Sequence, residues 1–211
     1  PQKVISQGSL LLLCLFAYAN SAGNGFVFDD TPIIVENSFV TDRGSILKIF
    51  STPYWLQPAA GLYRPITLFS FHLNHALDGL NPIGFHLTNV VLHMIVVTLL
   101  HSLGIRLGLS PHGAYLSAAL FAVHPIHTEA VSNLVGRAEL LMSLGVLLSL
   151  VWHIDSRTTP LPRPGLRIAS LAAFSVSLLS KEQAMVLPLL IVLYDVAFRP
   201  GRAPVRSTAI T

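Results

Sequence analysis

The sequence is short of charge. Only 11% of its 211 residues are Asp, Glu, Lys or Arg, against roughly a quarter in an ordinary soluble domain. Together with 52% hydrophobic residues and a mean hydropathy of +0.64, that deficit excludes a soluble globule, a disordered chain and a nucleic-acid-binding domain. Cysteine is nearly absent as well. Cys14 stands alone in an apolar run, so no disulfide framework exists and the thiol reads as a small hydrophobe. No internal repeat or low-complexity tract of consequence is present. What remains is the composition of a polytopic membrane protein, expected to be an all-α bundle of about six spans.

The segments apolar enough to span are residues 4–19, 85–105, 113–134, 140–154, 166–179 and 184–198. A hydrocarbon core of ~30 Å asks for ~20 helical residues, so the third and fifth must borrow polar residues at one end or be buried by neighbours. The run 10–19 has the length of a signal-peptide core, but Ser21-Ala22-Gly23 is a weak cleavage site and the run is read as the first span. Pro1 in place of Met, and a Pro/Arg-rich stretch over 199–211 without any packing pattern, predict a piece of a longer chain. Residues 1–198 would be its membrane region and 199–211 a cytoplasmic tail or linker.

Charge placement tests the sidedness of such a bundle, because Lys and Arg accumulate on the cytoplasmic side of short loops. With six spans and a cytoplasmic start, one side receives Lys3, Arg106, Arg157, Arg163, Arg167, Arg199, Arg202 and Arg206. The other receives Arg43, Lys48, Arg64, Arg137 and Lys181, together with Asp29, Asp30, Glu36, Asp42, Asp78, Glu129, Glu139 and Glu182. Acids contribute little to topology itself. Their gathering on one side therefore points to chemistry or binding at the extracytoplasmic face.

The first external loop, residues 20–84, is long and broken by Gly23, Gly25, Pro32, Pro53, Pro58, Gly61 and Pro65. Phe26, Phe28, Phe39, Phe50, Tyr54, Trp55 and Tyr63 argue against disorder there. They read as interfacial anchors and packing residues, and the sequence predicts short helices over 45–50 and 66–77.

Several constellations could carry chemistry. Asp29 and Asp30 follow the first span; near apolar surface one carboxylate could have a raised pKa and serve as a general base, or the pair could cap a turn before Thr31-Pro32. His124, His127 and Glu129 have a spacing that admits a metal, but Pro125 separates the histidines and favours a hydrogen-bonded cap at a broken helix end. Arg137 at a membrane boundary could clamp a phosphate or snorkel and pair with Glu139. Lys181 and Glu182 sit between two apolar segments and are expected to pair with each other or with other external charges. His86, Asn89 and His93 share one helical face, which must point into the bundle for hydrogen bonding or line a pathway. Arg64 precedes a predicted interfacial helix.

Taken in order, Phe26-Val27-Phe28-Asp29-Asp30, Tyr63-Arg64-Pro65-Ile66-Thr67, the run from Asn81 to Asn89, the run from Leu120 to Val131, Val135-Gly136-Arg137-Ala138-Glu139 and Ser180-Lys181-Glu182-Gln183 resemble the amino-terminal membrane part of the transmembrane O-mannosyltransferases that carry tetratricopeptide repeats. The resemblance covers residues 25–195, with Glu139 where Asp is often seen. It implies a multi-pass GT-C glycosyltransferase of the endoplasmic reticulum membrane. Such enzymes move mannose from dolichyl phosphate mannose to Ser or Thr hydroxyls of lumenal proteins, cadherins among them. An acid of the first lumenal loop is their expected catalytic carboxylate, a position held here by Asp29 and Asp30. Arg64, Arg137 and Lys181, with His124 and His127, would meet the donor phosphate, and Glu129, Glu139 and Glu182 would orient those cations. The resemblance assigns no metal ligand and no cofactor beyond the donor, and leaves open whether a divalent ion assists.

Two rivals belong to other classes. A transporter or channel would use His86, Asn89 and His93 as its pathway, and a membrane metalloprotein would be built on His124, His127 and Glu129. The concentration of charge at one surface, rather than at the bilayer midplane, favours the enzyme.

Overall fold

The computed structural model describes residues 7–42, 44, 46–55, 61–158 and 163–198. Lys3, the start of the first span, Arg43, Ser45, Pro58, Arg199, Arg202, Arg206 and the tail over 199–211 lie outside the described residues. Among the described residues there are helices and turns but no strand, as the apolar runs predict. The α-helices of the described residues are, in order, α1 (Gln7–Tyr18), α2 (Ser38–Thr41), α3 (Ile46–Ile49), α4 (Pro65–Asp78), α5 (Pro82–Arg106), α6 (Pro111–Val123), α7 (Thr128–Val131), α8 (Arg137–Thr158), α9 (Pro164–Ser180) and α10 (Leu187–Ala197).

Helix starts follow local chemistry. Asn81 and Ser110 cap α5 and α6, their side-chain oxygens accepting from the backbone N–H of Ile83 and Gly113 at 3.2 and 3.1 Å. A proline stands in the first turn of α4, α5, α6 and α9, where its missing N–H costs nothing. The same residue type stops the predicted third span. Pro125 disfavours helical backbone at His124, which is extended at φ −67° and ψ 128°. Hence α6 ends at Val123, and the chain descends through a 3₁₀ turn (Pro125–His127), α7 and a second 3₁₀ turn (Leu134–Gly136) into α8.

Among the described residues two helices are long and apolar enough to cross a membrane, Pro82–Arg106 and Leu134–Thr158, and Pro164–Ser180 is a shorter apolar helix. The helices α1, α6 and α10 lie in the other predicted segments but are not among those long enough to cross a membrane.

Packing rests on small residues where helices approach. Against α9, a Cβ added to Gly145 of α8 would meet the Ser177 Cβ at 2.6 Å and the Ala173 carbonyl oxygen at 2.7 Å. One turn on, Ser149 and Ser170 share a hydrogen bond of 2.9 Å. The pairing of 145 with 177 and 149 with 170 makes the two helices antiparallel. On the opposite flank Leu10 and Cys14 of α1 seat on Val97 of α5 and on Ala118 and Ala122 of α6.

The described part of the long first loop is folded. Ile33, Ile34, Val40, Ile49 and Tyr54 from it join Leu68 and Phe71 of α4, Phe85 of α5 and Leu134 in one buried cluster. Full burial of such side chains contributes about 1.5–3 kcal/mol each, which offsets the entropy of ordering a segment so rich in Gly and Pro. The predicted helices at 45–50 and 66–77 are α3 and α4. The loop thus forms a cap over the ends of α5, α8 and α9, where the acidic residues gather.

Candidate active site

Under this cap lies a cavity of about 240 Å³, lined by Asp29, Ile33, Tyr54, Trp55, Leu62, Arg64, Glu129, Asn133, Val135, Gly136 and Glu139. Four of the residues singled out from the sequence therefore share one space: Asp29, Arg64, Glu129 and Glu139.

The two neighbouring aspartates have different fates. Asp29 is exposed and faces the cavity. Asp30 is buried, with Oδ2 accepting from the Val27 N–H at 3.0 Å and Oδ1 from the Val135 N–H at 3.2 Å. Burial raises the Asp30 pKa, against the two backbone donors, which pull it down. Asp30 thereby fastens the first loop to the turn that leads into α8. Gly136 makes that turn possible, because a Cβ there would meet the Ala130 Cα at 2.7 Å and its carbonyl oxygen at 2.8 Å.

The cations are held in pairs. Arg64, at the entry to α4, donates from Nε and Nη2 to the two carboxylate oxygens of Glu182 at 3.0 and 2.7 Å. Its side chain is only 11% exposed, whereas that of Glu182 is 50% exposed. The hydrogen bonds from Arg64 hold the Glu182 carboxyl below its ordinary value; burial works against charge on Arg64, but Glu182 outweighs it and the guanidinium pKa rises. The Lys181 ammonium donates to Glu139, which joins it to the cavity wall. Thr67 donates to the Ser180 carbonyl at 2.9 Å and docks this turn on α4. So Lys181 and Glu182 find external partners rather than each other. Glu129 accepts from Asn133 at 3.0 Å and pairs with no Lys or Arg among the described residues.

Three of the predicted phosphate contacts lie elsewhere. Arg137 is fully buried and does not line the cavity. Its Nε donates to Asn89 Oδ1 at 2.8 Å, Nη2 to the Phe85 carbonyl at 2.8 Å, and Nη1 to the Ser70 carbonyl and Asn74 Oδ1. Its guanidinium also sits 4.6 Å from the Phe71 ring centroid. A planar, five-donor group is what can tie α4, α5 and α8 together from a single point, and its donors face protein acceptors rather than a ligand. His124 and His127 stand on the turn after α6, away from the cavity wall. His124 Nδ1 accepts from the Ile126 N–H at 3.2 Å as a cap, and the His127 ring packs on Phe121 with centroids 4.0 Å apart. Burial and the neighbouring His124 lower the His127 pKa. No group of three or more His, Cys, Asp or Glu that could hold a metal occurs among the described residues.

The polar face of α5 is engaged in packing. Asn89 holds Arg137 through its oxygen, and its nitrogen lies 3.2 Å from the Asn133 carbonyl and 3.3 Å from that of Val131. His93 meets the Ala122 carbonyl at 3.1 Å, and His86 is buried beside it along the helix.

Sequence reasoning missed Tyr54, Trp55, Leu62, Asn133, Val135 and Gly136 as cavity residues. Tyr54 and Trp55 carried only the signal of loop aromatics. For Asn133 the i, i+4 spacing from Glu129 was available; for the others the wall is assembled by tertiary contact alone.

No family model matches the chain, and no solved structure matches it. Curated relatives do. The chain is 34% identical over 206 residues to the protein O-mannosyl-transferase F38B6.6 of Caenorhabditis elegans, covering 92% of this chain and 28% of that protein. It is 36% identical over 196 residues to the protein O-mannosyl-transferase Tmtc1 of Drosophila melanogaster, covering 90% and 22%, and 34% identical over 196 residues to the protein O-mannosyl-transferase TMTC3 of Mus musculus, covering 87% and 20%. The chain thus spans between a fifth and three tenths of the length of these relatives. With the spaced motifs running through most of it, the chain belongs to the protein O-mannosyl-transferase family.

Proposed function

We propose that the chain is the membrane-embedded catalytic region of a protein O-mannosyltransferase of the GT-C type, with about six spans in the endoplasmic reticulum membrane. It would pass mannose from dolichyl phosphate mannose to Ser or Thr hydroxyls of lumenal, cadherin-like proteins. One observation carries the reading: Asp29, an exposed carboxylate, shares a polar cavity with Arg64. A base and a cation in one space are what glycosyl transfer from a phosphate ester needs.

The chemistry follows from these groups. A Ser or Thr hydroxyl is a poor nucleophile at neutral pH, and a carboxylate that accepts its proton lowers the barrier. Asp29 is free for this, whereas Asp30 has both oxygens on backbone donors. As the acceptor oxygen bonds to the anomeric carbon, the bond from that carbon to the phosphate oxygen breaks and the lipid phosphate leaves with its negative charge. The sugar passes through an oxocarbenium-like state. Arg64 is the cation on the cavity wall and Lys181 the one joined to it through Glu139; fixed positive donors at the departing oxygen are worth most where water is excluded. Arg137 serves this site by holding its framework.

Sidedness is supported by where the remaining ion pairs sit. Arg106 and Asp155 pair at 2.8 Å, and Arg157 lies 3.6 Å from Asp195, at the far ends of α5 and α8. The basic flank would face the cytosol and the cavity the lumen.

The test uses the full-length parent protein in microsomes with labelled dolichyl phosphate mannose and an acceptor protein. Asp29→Asn is expected to lower transfer by at least about 10²-fold while the protein remains folded. Full transfer by that variant would overturn the assignment.

A further inference from the structure

Phe28 is the sole non-glycine residue with positive φ among the described residues, at φ 46°. It is also 92% exposed. Each property is unfavourable by itself. Left-handed backbone crowds the Cβ of an L-residue, and the first central position of a turn with positive φ is normally given to Gly, Asn or Asp. An exposed phenyl ring gains nothing from packing. Local stability therefore favours another residue at position 28.

The segment around it is held firmly. Asp30 N–H donates to the Val27 carbonyl at 3.0 Å and closes the turn, and the Asp30 carboxylate accepts from the Val27 N–H at 3.0 Å. On one side Phe26 packs edge-on against Phe85 with centroids 5.5 Å apart. On the other, Asp30 is bonded to Val135. Between these anchors Val27 and Phe28 project outward and Asp29 faces the cavity. Strain that persists because its surroundings over-determine it is the kind found at binding sites.

We propose that Phe28 is an acceptor-recognition residue, whose ring contacts an apolar side chain within two residues of the Ser or Thr that receives the sugar. This rests on the reading of Asp29 as the base. A hydroxyl that gives its proton to Asp29 lies within about 3 Å of that carboxylate. Consecutive Cα atoms are about 3.8 Å apart, and an extended acceptor chain rises about 3.3 Å per residue. A ring on the residue before the base therefore reaches the acceptor positions that flank the hydroxyl. The donor phosphate belongs on the Arg64 side of the cavity, so the ring discriminates among polypeptides rather than donors.

The test again takes the full-length protein in membranes, with two synthetic peptides that share one Thr and differ in having Val or Gly beside it. Phe28→Ala should raise the KM for the Val peptide by about tenfold, the effect of one aromatic anchor, and leave the KM for the donor unchanged. Phe28→Gly relaxes the turn and should show the same defect, while Phe28→Trp should restore the Val peptide. Discrimination between the two peptides should disappear in the Ala and Gly variants. Unchanged discrimination in those variants overturns the proposal.

A second measurement does not depend on transfer. Phe28→p-benzoylphenylalanine, irradiated with the Val peptide, should give a peptide adduct. Adducts with phospholipid alone, or none, overturn the proposal. If the wild type transfers no mannose to either peptide, the functional reading fails and the adduct alone decides the role of Phe28.

Discussion

The Asp30 carboxylate is bonded to the Val135 N–H across 105 residues of sequence, while its neighbour Asp29 faces the cavity. Adjacent carboxylates of one type thus have separate duties. Asp30→Ala should lose both backbone partners and leave the part-buried Val27 and Val135 N–H groups without that acceptor, a total cost of about 1–3 kcal/mol. Thermal unfolding in detergent should register it as a lower midpoint. Asp29→Ala should leave the unfolding free energy within about 0.5 kcal/mol of wild type and affect transfer alone.

The pH dependence separates Asp30 from Glu182 by sign. The folded-state pKa of Asp30 is raised above its ordinary 3.8 by burial. Its protonated form is favoured in the fold, so its contribution is fully present below the ordinary value and is lost as pH rises through the raised one. The folded-state pKa of Glu182 is depressed below 4.5 by Arg64; its contribution is present above that value and is lost as pH falls through the depressed one. Stability curves of Asp30→Asn and Glu182→Gln against pH should therefore deviate from wild type with opposite slopes. Equal slopes would contradict the burial of Asp30.

Much of this architecture is legible from hydropathy. The runs 85–105, 140–154 and 66–77 lie inside α5, α8 and α4, and α4 and α5 each carry a proline in the first turn. The run 113–134 misleads, since its mean apolarity hides the backbone demand of Pro125 at His124. The inward face of His86, Asn89 and His93 is readable from helical spacing, and all three are buried. Ion-pair partners are not readable in this way. Arg64 and Glu182 are 118 positions apart and Glu139 and Lys181 are 42 apart, so only the folded bundle chooses between Glu182 and Glu139 as the partner of Lys181. The role of Arg137 was hidden for the same reason: its acceptors come from α4 and α5, and its sequence neighbours Gly136 and Glu139 suggest a boundary rather than a fully buried guanidinium.

Arg64 and Glu182 form a bidentate pair whose cation is nearly buried and whose anion is half exposed. Such partly exposed pairs contribute about 1 kcal/mol or less to stability, so Arg64→Ala should fold. If the guanidinium meets the donor phosphate, this variant should raise the donor KM at least about tenfold, the equivalent of 1.4 kcal/mol, without changing the acceptor KM. Steady-state transfer measured against each substrate in turn gives the split. A change confined to the acceptor KM would remove Arg64 from the donor side.

Arg137 should behave in the opposite way. Its charge is fully buried, contacts Asn89, Asn74, Ser70 and Phe85, and lies over two aromatic rings. Arg137→Ala leaves the Asn89 oxygen and the Phe85 carbonyl without their donor; each unsatisfied buried acceptor costs about 1–3 kcal/mol. Arg137→Lys keeps the charge but cannot span the same acceptors with a compact ammonium, so it should rescue little. Yield of folded protein and protease resistance in membranes measure this directly. If Arg137→Lys accumulates normally and loses only donor affinity, the guanidinium is serving the phosphate after all; loss of the fold in both variants assigns it to the framework beneath the cavity.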